Sequence, residues 1–472
     1  MTPAENLQCD QAVFTSTRGP MGEGYRIVAA SRGLRPEERQ AITRLSPSHE
    51  ALCWKPAEGE DDSTRYAASF YPLPTGRLCV AFSCYAGAEH TARGGHRVYT
   101  HNVIFDEHDF PRCGFNPFQV VRAMVAAGLT IPQLVMGAVL SDIQLSIGTT
   151  NIPRISSFAA SVDSPHRRYV LRRLLEKRAI IVPVQDHWLE STEALLMGVP
   201  GPMRSKISFG AGLRFSLGRR HRLHLFCDEK GAARTRITGQ PVEYLDPIGM
   251  PPEDDASAWV AFVDRHWGRA DCAGLARRTS RPFTDLTLAA RERIGTLYNA
   301  IDAVASTSDL ELLNLAADHI HTSASGVEDE IRMELVTKTQ RTLQERLTNL
   351  HRHDAQPLWP RLVDFWRQSD AAFAQPLLET ALRSLLKENP LSAAEAALDV
   401  AADYPIVLDR ERHERLIDEV IGRVVAHQPK DEDPERLTNL CSRWRSVRPA
   451  DPAIEKLAER CSAASMGVPM SS

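Results

Sequence analysis

Arg93–Phe118, RGGHRVYTHNVIFDEHDFPRCGFNPF, is the stretch on which the reading of this chain turns. From His96 to Asp106 the residues alternate with the period of a strand. Val98, Thr100, Asn102 and Ile104 fall on one face; Tyr99, His101, Val103 and Phe105 fall on the other. The adjacent pair His101 and Asn102 therefore sends a polar group to each face of an otherwise apolar strand. Gly94 and Gly95 supply a turn before it, and Asp106, His108 and Asp109 close it with acid and imidazole. Asn116 and Pro117 then read as N-cap and first residue of a helix reaching about Leu129. A strand that carries polar groups inward, ends in a charged loop and feeds a capped helix is a common way to build a site.

Upstream, AVFTST and YRIVAAS read as two strands joined by a turn at Gly19, Gly22 and Gly24. The glycines invite a phosphate-loop reading, but GxxxxGK[ST] is absent and no helix follows directly, so a hairpin is expected. Pro36 starts a helix with Glu37 and Glu38 in its first turn, where the helix dipole favours acid. RYAASFYPL and GRLCVAFSCYAG form a further hairpin. Downstream of about Ser141, PHRRYVLRRLLEKR reads as a helix, AIIVPV as a strand, HWLESTEALLMG as a helix, and SKISFGAGLRFSL and LHLFCD as strands. From about Trp259 the apolar spacing becomes helical almost throughout, as in Ile417, Ile421, Val424 and Val425. The expected class is α+β. An N-terminal mixed α/β domain (1–135) is followed by a small α/β middle domain (136–255) and an all-α helical array (256–472).

Composition narrows the function. A net charge of −4 gives no global argument for nucleic acid or a membrane surface, and no apolar run approaches the ~20 residues of a membrane helix. The first residues, MTPAENLQCDQ, lack a basic segment followed by an apolar core, so no secretory signal is expected. The nine cysteines are scattered without a CxxC, which points to a reduced, cytoplasmic protein with neither a disulfide framework nor a zinc knuckle.

Three stretches together resemble the GTPase-associated proteins of bacterial NTP-dependent conflict systems. These are FTSTRG with its glycine turn and GYRIVAASRGLRPEERQAI, then HRVYTHNVIFD with its helix, then PGPMRSKISFGAGLRFSL and RLHLFCD. The resemblance implies partnership with a GTPase and other proteins of the same system, in an adaptor or regulatory role. It implies no catalytic residues and no cofactor, and association with a GTPase is not the same as GTPase activation.

Chemistry legible in the residues is sparse. The alternative to an adaptor is an enzyme of unrecognised class, with a site around His96, His101, Asn102 and Asp106. With His108 and Asp109 these offer acid/base or metal-ligating groups, yet no HExxH or HxH spacing occurs, so a buried, hydrogen-bonded histidine is the simpler expectation and no metal site is assigned. Cys79 and Cys84, five apart on a strand, face opposite ways, and a Cys84–His101 pair competes with plain core packing. Arg168, Arg172, Arg173, Lys177, Arg219, Arg220 and Arg222 form the candidate partner-binding set, weighed against an ordinary solvated face. Trp359, Phe365 and Trp366 read as helix core rather than as an exposed anchor. No recognised nucleic-acid module is present, so none is expected as a partner.

Overall fold

The structure is a computed structural model. It describes residues 5–19, 22–55, 65–89, 95–132, 137–148, 155–156, 159, 164–176, 178–184, 186–227, 241–245, 257–320, 322, 326–348, 362–363, 371–401, 410–426 and 434–465. The chain divides into two compact units, Met1–Thr296 and Leu297–Ser472.

The first unit is built on one mixed sheet. Its N-terminal strands are β1 (Glu5–Gly19), β2 (Gly22–Ser31), β3 (Ala67–Pro72), β4 (Arg77–Ala88) and β5 (His96–Asp106), with short β6 (Val139–Leu140) and β7 (Ile143–Ile147). Then come β8 (Ala179–Pro183), β9 (Phe209–Ala211), β10 (Leu223–Phe226) and β11 (Val242–Tyr244). The order across the sheet is β11-β8-β10-β9-β3-β4-β5-β1-β2-β6, with β7 paired to β1. From β9 through β3, β4, β5 and β1 to β2 the neighbours are antiparallel; from β9 to β11, and between β2 and β6, they are parallel.

The two kinds of pairing meet at β3 and β9, where Ser69 stands opposite Gly210. A Cβ on Gly210 would lie 3.0 Å from the His221 ring, so the seam is tight against that side chain. The strands of the middle region thus extend the N-terminal sheet. Strand lengths also differ from the sequence reading. β1 begins well before AVFTST because its first half pairs with β7, and only Phe209–Ala211 of SKISFGAGLRFSL is strand.

β5 lies between β4 and β1, and every residue from Arg97 to Phe105 is buried. Helix α1 (Pro36–Leu45) covers the Asn102 face. Ile42 and Leu45 pack there with Ala12, Tyr71, Cys79 and Ile104. Helix α2 (Pro117–Ala126) starts where expected, with Pro117 first and the Asn116 Oδ1 accepting from the Phe118 N–H at 3.0 Å. Its Phe118 stacks on Phe209 at 5.1 Å, and Phe209 lies beside Phe70.

Among the described residues, six further helices follow in this unit: α3 (Ser164–Leu175), α4 (Trp188–Met197), α5 (Gly201–Arg204), α6 (Ala258–Gly268), α7 (Cys272–Thr279) and α8 (Leu288–Ala303), the last crossing the boundary between the units. The second unit carries α9 (Asp309–Ile320), α10 (Val327–Thr348), α11 (Ala371–Glu388), α12 (Pro390–Ala401), α13 (Arg410–Ala426), α14 (Pro434–Val447) and α15 (Pro452–Ser465). Ile417, Ile421 and Val424 are buried as their spacing predicts. The fold is α+β. Among the described residues, no helix is long and apolar enough to cross a membrane.

Candidate functional site

His101 and Asn102 leave β5 in opposite directions, and both are held. The His101 ring is 6% exposed, with Nε2 3.0 Å from the Gln11 amide oxygen and Nδ1 3.4 Å from the Tyr99 hydroxyl. Burial pushes its pKa down to about 4, against a smaller opposing pull from the Leu129 backbone. The imidazole is therefore neutral at ordinary pH, with both nitrogens engaged. Asn102 is fully buried. Its Oδ1 accepts from the Tyr71 hydroxyl at 3.2 Å and from the Cys79 thiol at 3.7 Å, and its Nδ2 donates to the Ala12 carbonyl. Burial pushes the Cys79 thiol up to about 12, which keeps it protonated and a poor nucleophile. Cys84 stands opposite Tyr99 on the His101 face, with its thiol toward the Thr130 carbonyl.

His96 and Asp106 occupy the two ends of β5, roughly 30 Å apart at the usual rise per strand residue. His96 packs near the Tyr85 ring, and Asp106 is exposed opposite Arg77. The strand does not bring His96, His101, Asn102 and Asp106 together. Its far end gathers a different set: ligand atoms of Asp106, His108 and Asp109 lie within 4.8 Å of one another. Carboxylates and imidazole suit a zinc-like cation. Here Asp109 is also engaged by Arg112 at 3.1 Å, and His108 is largely exposed.

In the sequence Glu38 reads as a first-turn acid favoured by the helix dipole. It holds that place and is also fully buried. Its carboxylate accepts two hydrogen bonds from Arg77, at 2.9 and 2.6 Å, one from Thr75 and one from the Arg35 N–H. Arg77 also reaches Asp10 at 2.5 Å. Burial raises the Glu38 pKa, but the bonds from Arg77, Thr75 and Arg35 outweigh it and hold the carboxyl below its usual range. Gly33 fits against this knot, since a Cβ there would meet the Asp10 carboxylate at 2.7 Å.

The middle region holds buried polar groups of another kind. His221 and His224 are both buried, and His224 Nε2 accepts from the His221 backbone N–H at 2.9 Å. Neither ring nitrogen of His221 has a hydrogen-bond partner among the described residues. Burial, reinforced by Arg219, pushes His224 down to about 3, and burial with His224 and Arg219 pushes His221 well below its ordinary value. Arg204, fully buried on α5, donates to the carbonyls of Val199, Met197, Gly114 and Phe115 and to the Thr279 hydroxyl. Burial alone pushes its guanidinium down to about 9.

The seven basic residues expected to face a partner are not one free patch. Arg172 and Arg173 both bind Glu176, and Arg173 also lies 3.3 Å from Glu243. Arg219 is buried and donates to the Arg214 carbonyl, while Arg222 donates to the carbonyl of Leu174. Arg220 is exposed and Arg168 half-buried. Lys177 lies outside the described residues, as do Trp359, Phe365 and Trp366.

Comparison with known proteins identifies one region. Residues 8–136 match the family described as GTPase-associated protein 1, N-terminal domain type 2. No curated protein and no solved structure matches the chain. The matched residues hold β2 to β5, α1, α2 and most of β1, the antiparallel part of the sheet. This N-terminal region belongs to the GTPase-associated protein family.

Proposed function

We propose that the protein is an adaptor or regulatory component of a bacterial conflict or signalling system, acting by binding a GTPase and other proteins of that system. The observation that carries this reading is the family match over residues 8–136. The burial of His101 and Asn102, each hydrogen-bonded within the fold, supports it by leaving those side chains to structure. An adaptor of this kind works by differential affinity: a tenfold preference for one nucleotide state of the GTPase shifts its equilibrium by about 1.4 kcal/mol without chemistry of its own. The less buried members of the basic set, half-buried Arg168 and Arg172 and exposed Arg220, are candidate contacts for an acidic partner surface.

The test is affinity purification of the tagged full chain from its native cell, with GDP or a non-hydrolysable GTP analogue added. A GTPase recovered preferentially in one nucleotide condition is the expected result. Recovery of no GTPase in either condition would sink the reading.

A further inference from the structure

We propose that the helical unit carries a groove for an acidic, partly apolar segment of a partner protein, lying between α11, α12 and α13. The groove has a volume of about 690 Å³. Arg383 and Lys387 of the last turns of α11 line one side, and Arg423 of α13 lines another. All three are exposed, and none has an ion-pair partner among the described residues.

Two acids on the same helices are committed elsewhere. Glu379, four residues before Arg383, accepts from Gln375 at 3.0 Å, and Asp418 is bound by Arg448 at 2.5 Å. Arg383 and Lys387 are also four apart on one helix, a like-charge arrangement that costs stability. Cations near helix C-termini do offset part of that cost through the helix dipole. The dipole argument explains each residue singly, however, and does not explain why cations from two helices meet in one groove.

The remaining lining decides the class of ligand. Glu419 contributes a carboxylate to the same groove, and Leu386 and Pro390 give it an apolar floor. A nucleic-acid track favours unbroken positive charge and aromatic stacking surfaces, which this lining does not provide. Three cations around an apolar floor suit a peptide bearing carboxylates interspersed with aliphatic side chains. The inference concerns the second unit alone and does not depend on the GTPase reading.

The experiment measures fluorescence anisotropy of the full chain with a labelled glutamate-rich peptide containing leucines, and with a labelled oligothymidine of equal length. The peptide should bind, and more tightly than the oligothymidine. Arg383→Glu, Lys387→Glu and Arg423→Glu together should weaken it about tenfold or more, whereas Lys456→Glu, an exposed cation on α15, should leave it unchanged. Glu419→Gln should tighten binding about threefold, a gain that misfolding cannot produce. Absence of peptide binding, indifference to the groove variants, or tighter binding of the oligothymidine would each overturn the proposal.

Discussion

In the antiparallel half of the sheet, Asn102 meets Tyr71 and Ala12, and the Arg77 guanidinium meets two carboxylates. In the middle region, His221 meets no hydrogen-bond partner for its ring nitrogens among the described residues, and Arg204 meets only neutral oxygens. Both regions bury polar side chains, but by different means. The first keeps its charges and pairs them. The second leaves His221 without ring partners among the described residues and surrounds the Arg204 guanidinium with neutral oxygens. Paired charge is costly to break from either side, whereas an unpartnered neutral group is replaceable by apolar atoms.

The largest expected effect is one of pH, and both regions contribute to it. The unfolded chain protonates histidine near 6.5, while folded His101 and His224 hold out to about 4 and about 3. Below pH 6.5 the unfolded state therefore binds more protons, and stability falls until the folded values are reached. Each imidazole contributes on the order of 3 kcal/mol to that fall. Glu38 acts lower: its depressed pKa gives stability that is present above the unfolded value of 4.5 and lost as pH falls through the folded one. Denaturation across this range should show a steep loss starting near 6.5. A flat profile down to pH 4.5 would mean that the imidazoles are not held neutral.

Next in size, Arg77→Met should destabilise by about 3–5 kcal/mol, because it leaves Glu38 buried without its cation. Urea unfolding that shows less than about 1 kcal/mol would deny the paired-charge account. A smaller and more direct contrast comes from two apolar replacements. Asn102→Leu should cost about 2 kcal/mol by orphaning Tyr71 and the Ala12 carbonyl, while His221→Leu should be neutral or stabilising. Equal losses in both would erase the distinction between the regions. The smallest effect is expected at Arg172→Ala, where an exposed-side pair with Glu176 contributes under about 0.5 kcal/mol. That variant therefore probes GTPase binding without disturbing the fold.

The sequence was most legible where local chemistry and tertiary structure agree. β5 spans His96–Asp106 as its alternation indicates, Asn116 caps and Pro117 opens α2, and the helical spacing beyond Trp259 corresponds to helices. Legibility failed where partners are remote. Glu38 has the look of a first-turn acid, and nothing local reveals that Arg77 will cover it. Arg219 reads as surface charge because a guanidinium satisfied by a backbone carbonyl leaves no signature in side-chain pattern. His224 did leave one: in Leu223–Phe226 it shares the alternation of a buried strand, and the run LHLF marks it as interior. His101 and Asn102 are buried on opposite faces of β5, as the alternation of that strand indicates. Which role those residues play depends on Gln11, Tyr71 and Tyr99, whose proximity only the sheet register supplies.

The seam between β3 and β9 sets a schedule for synthesis. Ala68 must pair with Ala211, about 140 residues later in the chain. At roughly 5–20 residues per second, a ribosome delivers β9 on the order of ten seconds after β3 has emerged. Throughout that interval the free edge of β3, carrying the apolar run Ala67–Tyr71, has no native neighbour on that side. The nascent chain is thus most exposed to mispairing before its middle third is made, and a pause in translation between these strands would lengthen that exposure.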